Sequence, residues 1–211
     1  MIEKAISGLQ SALQGLRYNR EPAPPDAGAL QREGGTMAQY FEVHPKTPQQ
    51  RLIKQVVEIL VEGGVIAYPT DSSYALGCRM GEKAALDRIR EIRRLEDGHN
   101  FTLACKDLKD IGTYAQMENY AYRLLKSHTP GPYTFILRAT REVPRRLQHP
   151  KRKTIGIRVP DQPVSRALLE ALGEPLMSVT LQLPGDELPL NDPEEIRERL
   201  GKQVDAVVDG G

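Results

Sequence analysis

At 211 residues the chain is expected to form one domain with an appended arm rather than two domains. Its 39% hydrophobic and 27% charged residues exclude a chain kept unfolded by low hydrophobicity and one-sign charge, and its two cysteines, Cys78 and Cys105, exclude a disulfide framework or a four-cysteine zinc site. The net charge of +1 hides a segregation, because residues 79–158 carry 18 Lys and Arg against 9 Asp and Glu, while residues 185–211 carry 8 acidic against 3 basic residues. The middle of the chain is where an anion is expected to bind.

Taken in order, residues 1–36 differ from the rest. Ile2, Ile6, Leu9, Leu13 and Leu16 recur at helical spacing, and Pro22, Pro24, Pro25, Gly28 and Gly34-Gly35 then break regular structure. An amphipathic arm on a Pro/Gly-rich linker is expected there, with the folded domain running from 37 to 211. No apolar run approaches the ~18 residues that span a bilayer, and none resembles a secretion signal, so a soluble cytoplasmic protein with no membrane partner is expected.

From Met37 onward, Thr47 as N-cap and Pro48 at the first helical position open a helix whose buried face is Leu52, Ile53, Val56, Val57 and Leu60, ending at Gly63-Gly64. Val65–Tyr68 is a short apolar run suited to a strand buried on both faces. A helix follows from about Glu82 to Leu95. Strands are then expected at Phe101–Cys105, Tyr133–Ala139, Ile155–Val159, Leu176–Thr180 and Val204–Val208, with helices near Glu118–Lys126, Pro163–Leu172 and Pro193–Leu200. Strands separated by helices define an α/β protein with a largely parallel or mixed sheet.

The sequence has no G-x-x-x-x-G-K-[ST], no G-x-G-x-x-G after a strand and no H-E-x-x-H, which disfavours a P-loop nucleotidase, a dinucleotide dehydrogenase and a zincin. Five segments carry chemistry. After the strand at Tyr68, the run Pro69-Thr70-Asp71-Ser72-Ser73 offers hydroxyls either to a small polar ligand or to a capped turn. Arg93 and Arg94 end a helix, where they either offset the helix dipole or grip phosphates, with His99 and Asn100 as further donors. Pro130-Gly131-Pro132-Tyr133-Thr134 makes a stiff turn that aims Thr134 at whatever cleft it shapes. Arg145, Arg146, Lys151, Arg152 and Lys153 place five cations in ten residues without an acid, which reads as a solvated loop or as an RNA phosphate contact. Arg158 stands in the otherwise apolar run Ile155–Val159, where a charge must find a partner or a ligand because an unpaired buried charge is costly.

In this order, Tyr68-Pro69-Thr70-Asp71, Arg93-Arg94-Leu95, His99-Asn100-Phe101-Thr102-Leu103, Pro130–Thr134, Thr154–Asp161 and Pro175–Thr180 resemble the YrdC/YciO family, whose best-known members are threonylcarbamoyl-AMP synthases. Tyr74–Cys78, His99–Leu103 and Leu147–Arg152 resemble its YciO branch. The resemblance implies a YrdC-like fold, a large twisted mixed sheet flanked by helices with a cationic concave cleft. It also implies a reaction that joins L-threonine, bicarbonate and ATP, entering with Mg2+, into threonylcarbamoyl-AMP for tRNA N6-threonylcarbamoyladenosine formation, without a protein-bound metal. On that resemblance Thr70, Ser73, His99, Thr134, Arg158, Ser178 and Thr180 would hold the amino acid, and Arg93, Arg94, Asn100, Pro130 and Gln182 the nucleotide. No protein nucleophile is needed. Arg145, Arg146, Lys151, Arg152 and Lys153 would meet RNA.

The family's K-x-R and S-x-N pairs are replaced here by Arg93-Arg94-Leu95 and Thr180-Leu181-Gln182, and family members usually continue into further strands beyond the position of Gly210-Gly211. A synthase-like protein of weak or altered activity, shortened at its C-terminus, is therefore the expectation. The rivals are a tRNA- or double-stranded-RNA-binding module of the same fold without efficient catalysis, and a carbamoyl-adenylate enzyme for another amino acid or carbamoyl donor.

Overall fold

The computed structural model of the protein describes residues 37–96 and 99–211, so the amphipathic arm lies outside the described residues. In chain order the elements are β1 (Gln39–Glu42), α1 (Gln50–Val61), β2 (Ile66–Pro69), β3 (Tyr74–Arg79), α2 (Lys83–Arg93), β4 (Thr102–Ala104), α3 (Leu108–Tyr114), β5 (Ala115–Gln116), α4 (Asn119–His128), β6 (Phe135–Ala139), β7 (Thr154–Arg158), α5 (Pro163–Leu172), β8 (Leu176–Thr180), α6 (Pro193–Leu200) and β9 (Ala206–Asp209). The strands join one mixed sheet of nine in the order β1-β9-β2-β3-β8-β4-β7-β6-β5. Among the described residues three of its pairings are parallel, β1 with β9, β2 with β9 and β4 with β7.

Local chemistry explains most element ends. The α1 face Ile53, Val56 and Leu60 is fully buried, and each such side chain contributes roughly 1.5–3 kcal/mol. Gly63, at φ 84°, then turns the chain out of the helix. Pro163 opens α5 behind Gln162, whose side-chain oxygen accepts from Ser165 N at 2.8 Å, and Gly173 closes it at φ 73°. Asp192 caps α6 in the same way, accepting from Glu194 N at 2.8 Å.

The expected start of α1 is corrected. Thr47 is not the N-cap, and the helix begins two residues after Pro48 behind Gln49. His44 organises the approach, its Nδ1 accepting from Thr47 N at 3.1 Å while Gln49 Oε1 accepts from His44 N at 3.0 Å. Four elements went unread in the sequence: β1, β3, α3 and β5. The largest strand of these, β3, is buried at five of its six positions and so shows no alternation to mark it as a strand. It returns antiparallel from β2 through the Thr70–Ser73 turn, a hairpin where strands separated by helices were expected.

Strand alternation divides the core into two layers. Ala67, Leu76, Cys78, Leu103, Ile155, Ile157 and Met177 belong to one face with helices α2, α4 and α6. Ile66, Tyr68, Ala75, Ala104, Leu176, Ala206 and Val208 belong to the other, where α1 and α5 supply Ile53, Val56, Leu60, Val164 and Leu168. On that second face β6 leaves Ile136 and Arg138 exposed. Among the described residues no helix is long and apolar enough to cross a membrane.

Candidate functional site

A recess on the second sheet face is lined by Tyr68, Thr70, Thr102, Thr134, Arg158, Ser178 and Thr180, among others. The strand register builds its floor: Gly77 faces Ser178, Ser178 faces Thr102, and Thr102 faces Gly156, so four adjacent strands contribute small or hydroxylated side chains to one row. A Cβ on Gly156 would stand 2.7 Å from Thr102 Oγ1 and 3.1 Å from Thr134 Cγ2. A glycine is required there for those hydroxyl-bearing side chains to converge.

Arg158, at the end of β7, is the charged group of the recess. Its Nη2 donates to the Asp71 carboxylate and, at 3.0 Å, to Ser72 Oγ. Asp71 also accepts from Asp161 N at 3.2 Å, which ties the β2–β3 turn to the loop after β7. Both side chains are largely buried, at 14% and 11% exposure, so the pair is held in a low-dielectric setting. The Arg158 Nε is buried without a hydrogen-bond partner among the described residues. A donor left so costs about 1–3 kcal/mol, and it points to an acceptor that the fold itself does not supply.

The hydroxyls fare unequally. Thr70 Oγ1 donates to Ser73 O at 2.6 Å and accepts from Ser72 N at 3.3 Å, so its proton is committed to the turn, the blander of the two readings of this segment. Ser73 lines the recess beside it. Ser178 and Thr180 lie on β8, Ser178 buried and Thr180 exposed.

The residues assigned to the nucleotide lie outside that recess. Arg93 ends α2 half-buried, and Arg94 leaves the helix in the left-handed region at φ 48°. His99, expected at the amino acid, is not among the residues that line the recess either; it packs edge-on against Phe101 with ring centres 5.6 Å apart, and the Arg90 guanidinium lies 5.2 Å over the same ring. Burial first, then the neighbouring Arg93 and Arg90 charges, hold the His99 imidazole below its usual pKa. Asn100 is exposed, and the Gly131 amide after Pro130 donates to Val159 O at 2.9 Å. Gln182 spends its amide donors on Asp186 O at 3.0 Å and Glu187 O at 3.3 Å.

The five cations between β6 and β7 do not form a loose loop. Leu147 and Val143 are buried beneath them, and His149 Nδ1 accepts from Arg152 N at 3.1 Å and Lys151 N at 3.3 Å. Arg146 donates to Gly81 O while its own carbonyl accepts from Arg90 at 3.3 Å, so it fastens the segment to α2. Arg145, Lys151, Arg152 and Lys153 present exposed side chains. Both cysteines are fully buried, and burial raises both thiols, that of Cys78 to about 12, so neither is a nucleophile at neutral pH.

Of the residues expected at the amino acid, the recess brings together Thr70, Ser73, Thr134, Arg158, Ser178 and Thr180; Tyr68 and Thr102 in its lining, and Asp71 and Ser72 against Arg158, were not assigned by sequence reasoning. Asp71 was within reach of it, since a guanidinium in an apolar strand demands a carboxylate and Asp71 stands at a strand end. Thr102 could be found only from the register.

A nine-stranded mixed sheet covered by helices, with a charged, hydroxyl-lined recess on the face shared with α1 and α5, defines an α/β protein. The family model described as "Sua5_yciO_yrdC: Telomere recombination" matches residues 58–211, and the chain belongs to that family. It is 61% identical over 175 residues to the uncharacterized protein YciO of Escherichia coli K12, covering 83% of this chain and 85% of that protein. To a threonylcarbamoyl-AMP synthase of Xanthomonas axonopodis pv. citri it is 34% identical over 161 residues, covering 75% and 85%. The crystal structure of E. coli YciO superposes with a TM-score of 0.81 at 60% identity, covering 83% of this chain and 85% of that one. The crystal structure of P. abyssi Sua5 complexed with L-threonine shares the fold at a TM-score of 0.75 and 21% identity, covering 82% of this chain and 50% of that one.

Proposed function

We propose that the recess around Arg158 binds L-threonine and that the protein is a threonylcarbamoyl-AMP synthase-like enzyme of weak or altered activity, taking ATP with its Mg2+ and bicarbonate as co-substrates. The observation that carries this reading is Arg158 itself: a mostly buried guanidinium with one donor unsatisfied, ringed by hydroxyls, in a family whose named members include threonylcarbamoyl-AMP synthases. An α-amino acid suits it. Its carboxylate would take the Arg158 Nε, and its ammonium and hydroxyl would find acceptors among Thr102, Thr180 and the turn carbonyls. The N-carboxylated amino acid then attacks the α-phosphorus of ATP and pyrophosphate leaves, a step that asks the protein for positioning and charge neutralisation rather than a nucleophile.

Arg93, at the end of α2, is assigned to the polyphosphate, with Arg94 and Asn100. The replacement of a second cation by Leu95 and the commitment of the Gln182 amide to its own loop are the physical reasons for weaker turnover. Calorimetric titration of ATP with and without L-threonine tests the reading. Threonine-dependent ATP binding is expected, and Arg93→Ala should lower ATP affinity by about 1.5–3 kcal/mol. Unchanged ATP binding by a folded Arg93→Ala protein would remove that assignment.

A second reading rests on the exposed Arg145, Lys151, Arg152 and Lys153: a phosphate-binding surface for tRNA or another RNA, the acceptor side of the same chemistry.

A further inference from the structure

In the lining of the recess, Tyr68 is 1% exposed and its hydroxyl donates to Ser178 Oγ at 2.7 Å. The direction of this bond follows from accounting for protons. A phenol offers one proton, and within the sheet Ser178 Oγ is the acceptor that Tyr68 is given; reversing the bond would strand a buried O–H. Burial pushes the Tyr68 phenol up to about 12, so the proton is always there to donate. With one lone pair of Ser178 occupied by Tyr68, the serine still has its own proton to donate, and Ser178 lines the recess.

We infer that Tyr68 is a positioning residue that fixes Ser178 as a hydrogen-bond donor into the recess, and that this donor, together with Arg158, selects the carboxylate of the bound amino acid. The inference rests on the threonine-binding reading above and deepens it. A serine free to rotate can donate or accept and so discriminates poorly between a carboxylate and an ammonium. A serine with one lone pair already engaged by Tyr68 keeps its proton and one lone pair, and a hydroxyl that accepts one bond is strengthened as a donor, so the balance moves toward acceptors. The carboxylate of the ligand is thereby drawn to the β7–β8 side, and its ammonium is left to the hydroxyl and carbonyl oxygens of the turn. The small residues Gly77 and Ala75 keep this arrangement compact: a Cβ on Gly77 would stand 2.8 Å from the Tyr68 ring, so the glycine lets the ring lie flat on β3 with its hydroxyl at Ser178.

The test is a double-mutant cycle read by calorimetric titration of L-threonine and of L-threonine amide, in which the carboxylate is neutralised. Ser178→Ala should weaken threonine binding by roughly tenfold or more, as expected for removal of a hydrogen bond to a charged group. Tyr68→Phe keeps the ring and its packing and should weaken threonine by about three- to tenfold while narrowing the preference for threonine over its amide. The double variant should match Ser178→Ala alone, because the phenol acts only through the serine. Equal losses from Tyr68→Phe with and without Ser178, or an unchanged preference for threonine over the amide, would overturn the positioning role. Failure of the parent protein to bind threonine at all would instead overturn the reading on which it rests.

Discussion

The Arg158 recess and the cationic segment from Arg145 to Lys153 both display arginine, yet the two regions treat charge in opposite ways. In the recess one guanidinium is largely buried, paired with Asp71, hydrogen-bonded to Ser72 and left with one unsatisfied donor. In the segment all five cations are exposed, and it is backbone, anchored by His149 and by buried Val143 and Leu147, that holds the shape. A buried charge takes part in the fold through its pairing, whereas exposed charges act through their summed field and are screened by salt. Charge density along the sequence thus marks a screened surface field, and burial of a single charge marks where pairing is specific.

The contrast is broken most forcefully at Arg158. Arg158→Met leaves the Asp71 carboxylate without its partner and should lower unfolding free energy by about 3–5 kcal/mol, read by urea denaturation, together with loss of threonine binding. Next comes the floor of the same recess. Gly156→Val drives its Cβ into Thr102 Oγ1 and Phe101 O, at 2.7 and 3.0 Å, and should cost roughly 1–3 kcal/mol; a melting temperature equal to the parent's would show that the row is looser than its register implies.

Neutralising Lys151, Arg152 and Lys153 together should leave stability within about 0.5 kcal/mol of the parent, since exposed charges away from packed features contribute little. The same triple variant should flatten the salt dependence of tRNA binding by roughly 0.7–0.9 for each phosphate no longer neutralised. Identical weak binding by both proteins would remove the RNA role and leave the recess untouched. The smallest effect lies at His99. Its pKa is lowered in the folded protein, first by burial and then by Arg93 and Arg90, so below the unfolded-state value near 6.5 the unfolded chain binds more protons than the native one. Stability should therefore fall as pH drops through that value toward the folded pKa, and His99→Gln should shallow this slope in melts taken between about pH 7 and 5.

Much of this was legible in residue order. The face of α1, the spans of α5 and α6, the strand β8 and the need of Arg158 for a partner all follow from local rules: apolar spacing, a proline at the first helical turn, and the cost of a charge in an apolar run. Those rules are local because they concern a residue and its neighbours within one or two turns. What they could not supply is the partner across the sheet. That β3 turns back on β2, that Ser178 lies between Gly77 and Thr102, that Asp71 reaches Arg158 from 87 residues away, and that Thr70 spends its proton on its own turn were decided by register and tertiary pairing. A buried central strand carries no alternation to announce its face, and a hydroxyl looks the same in sequence whether its proton points into a turn or toward a ligand. Motif order determined the family this chain belongs to; the sheet decided which polar groups meet and which donors their own turns consume.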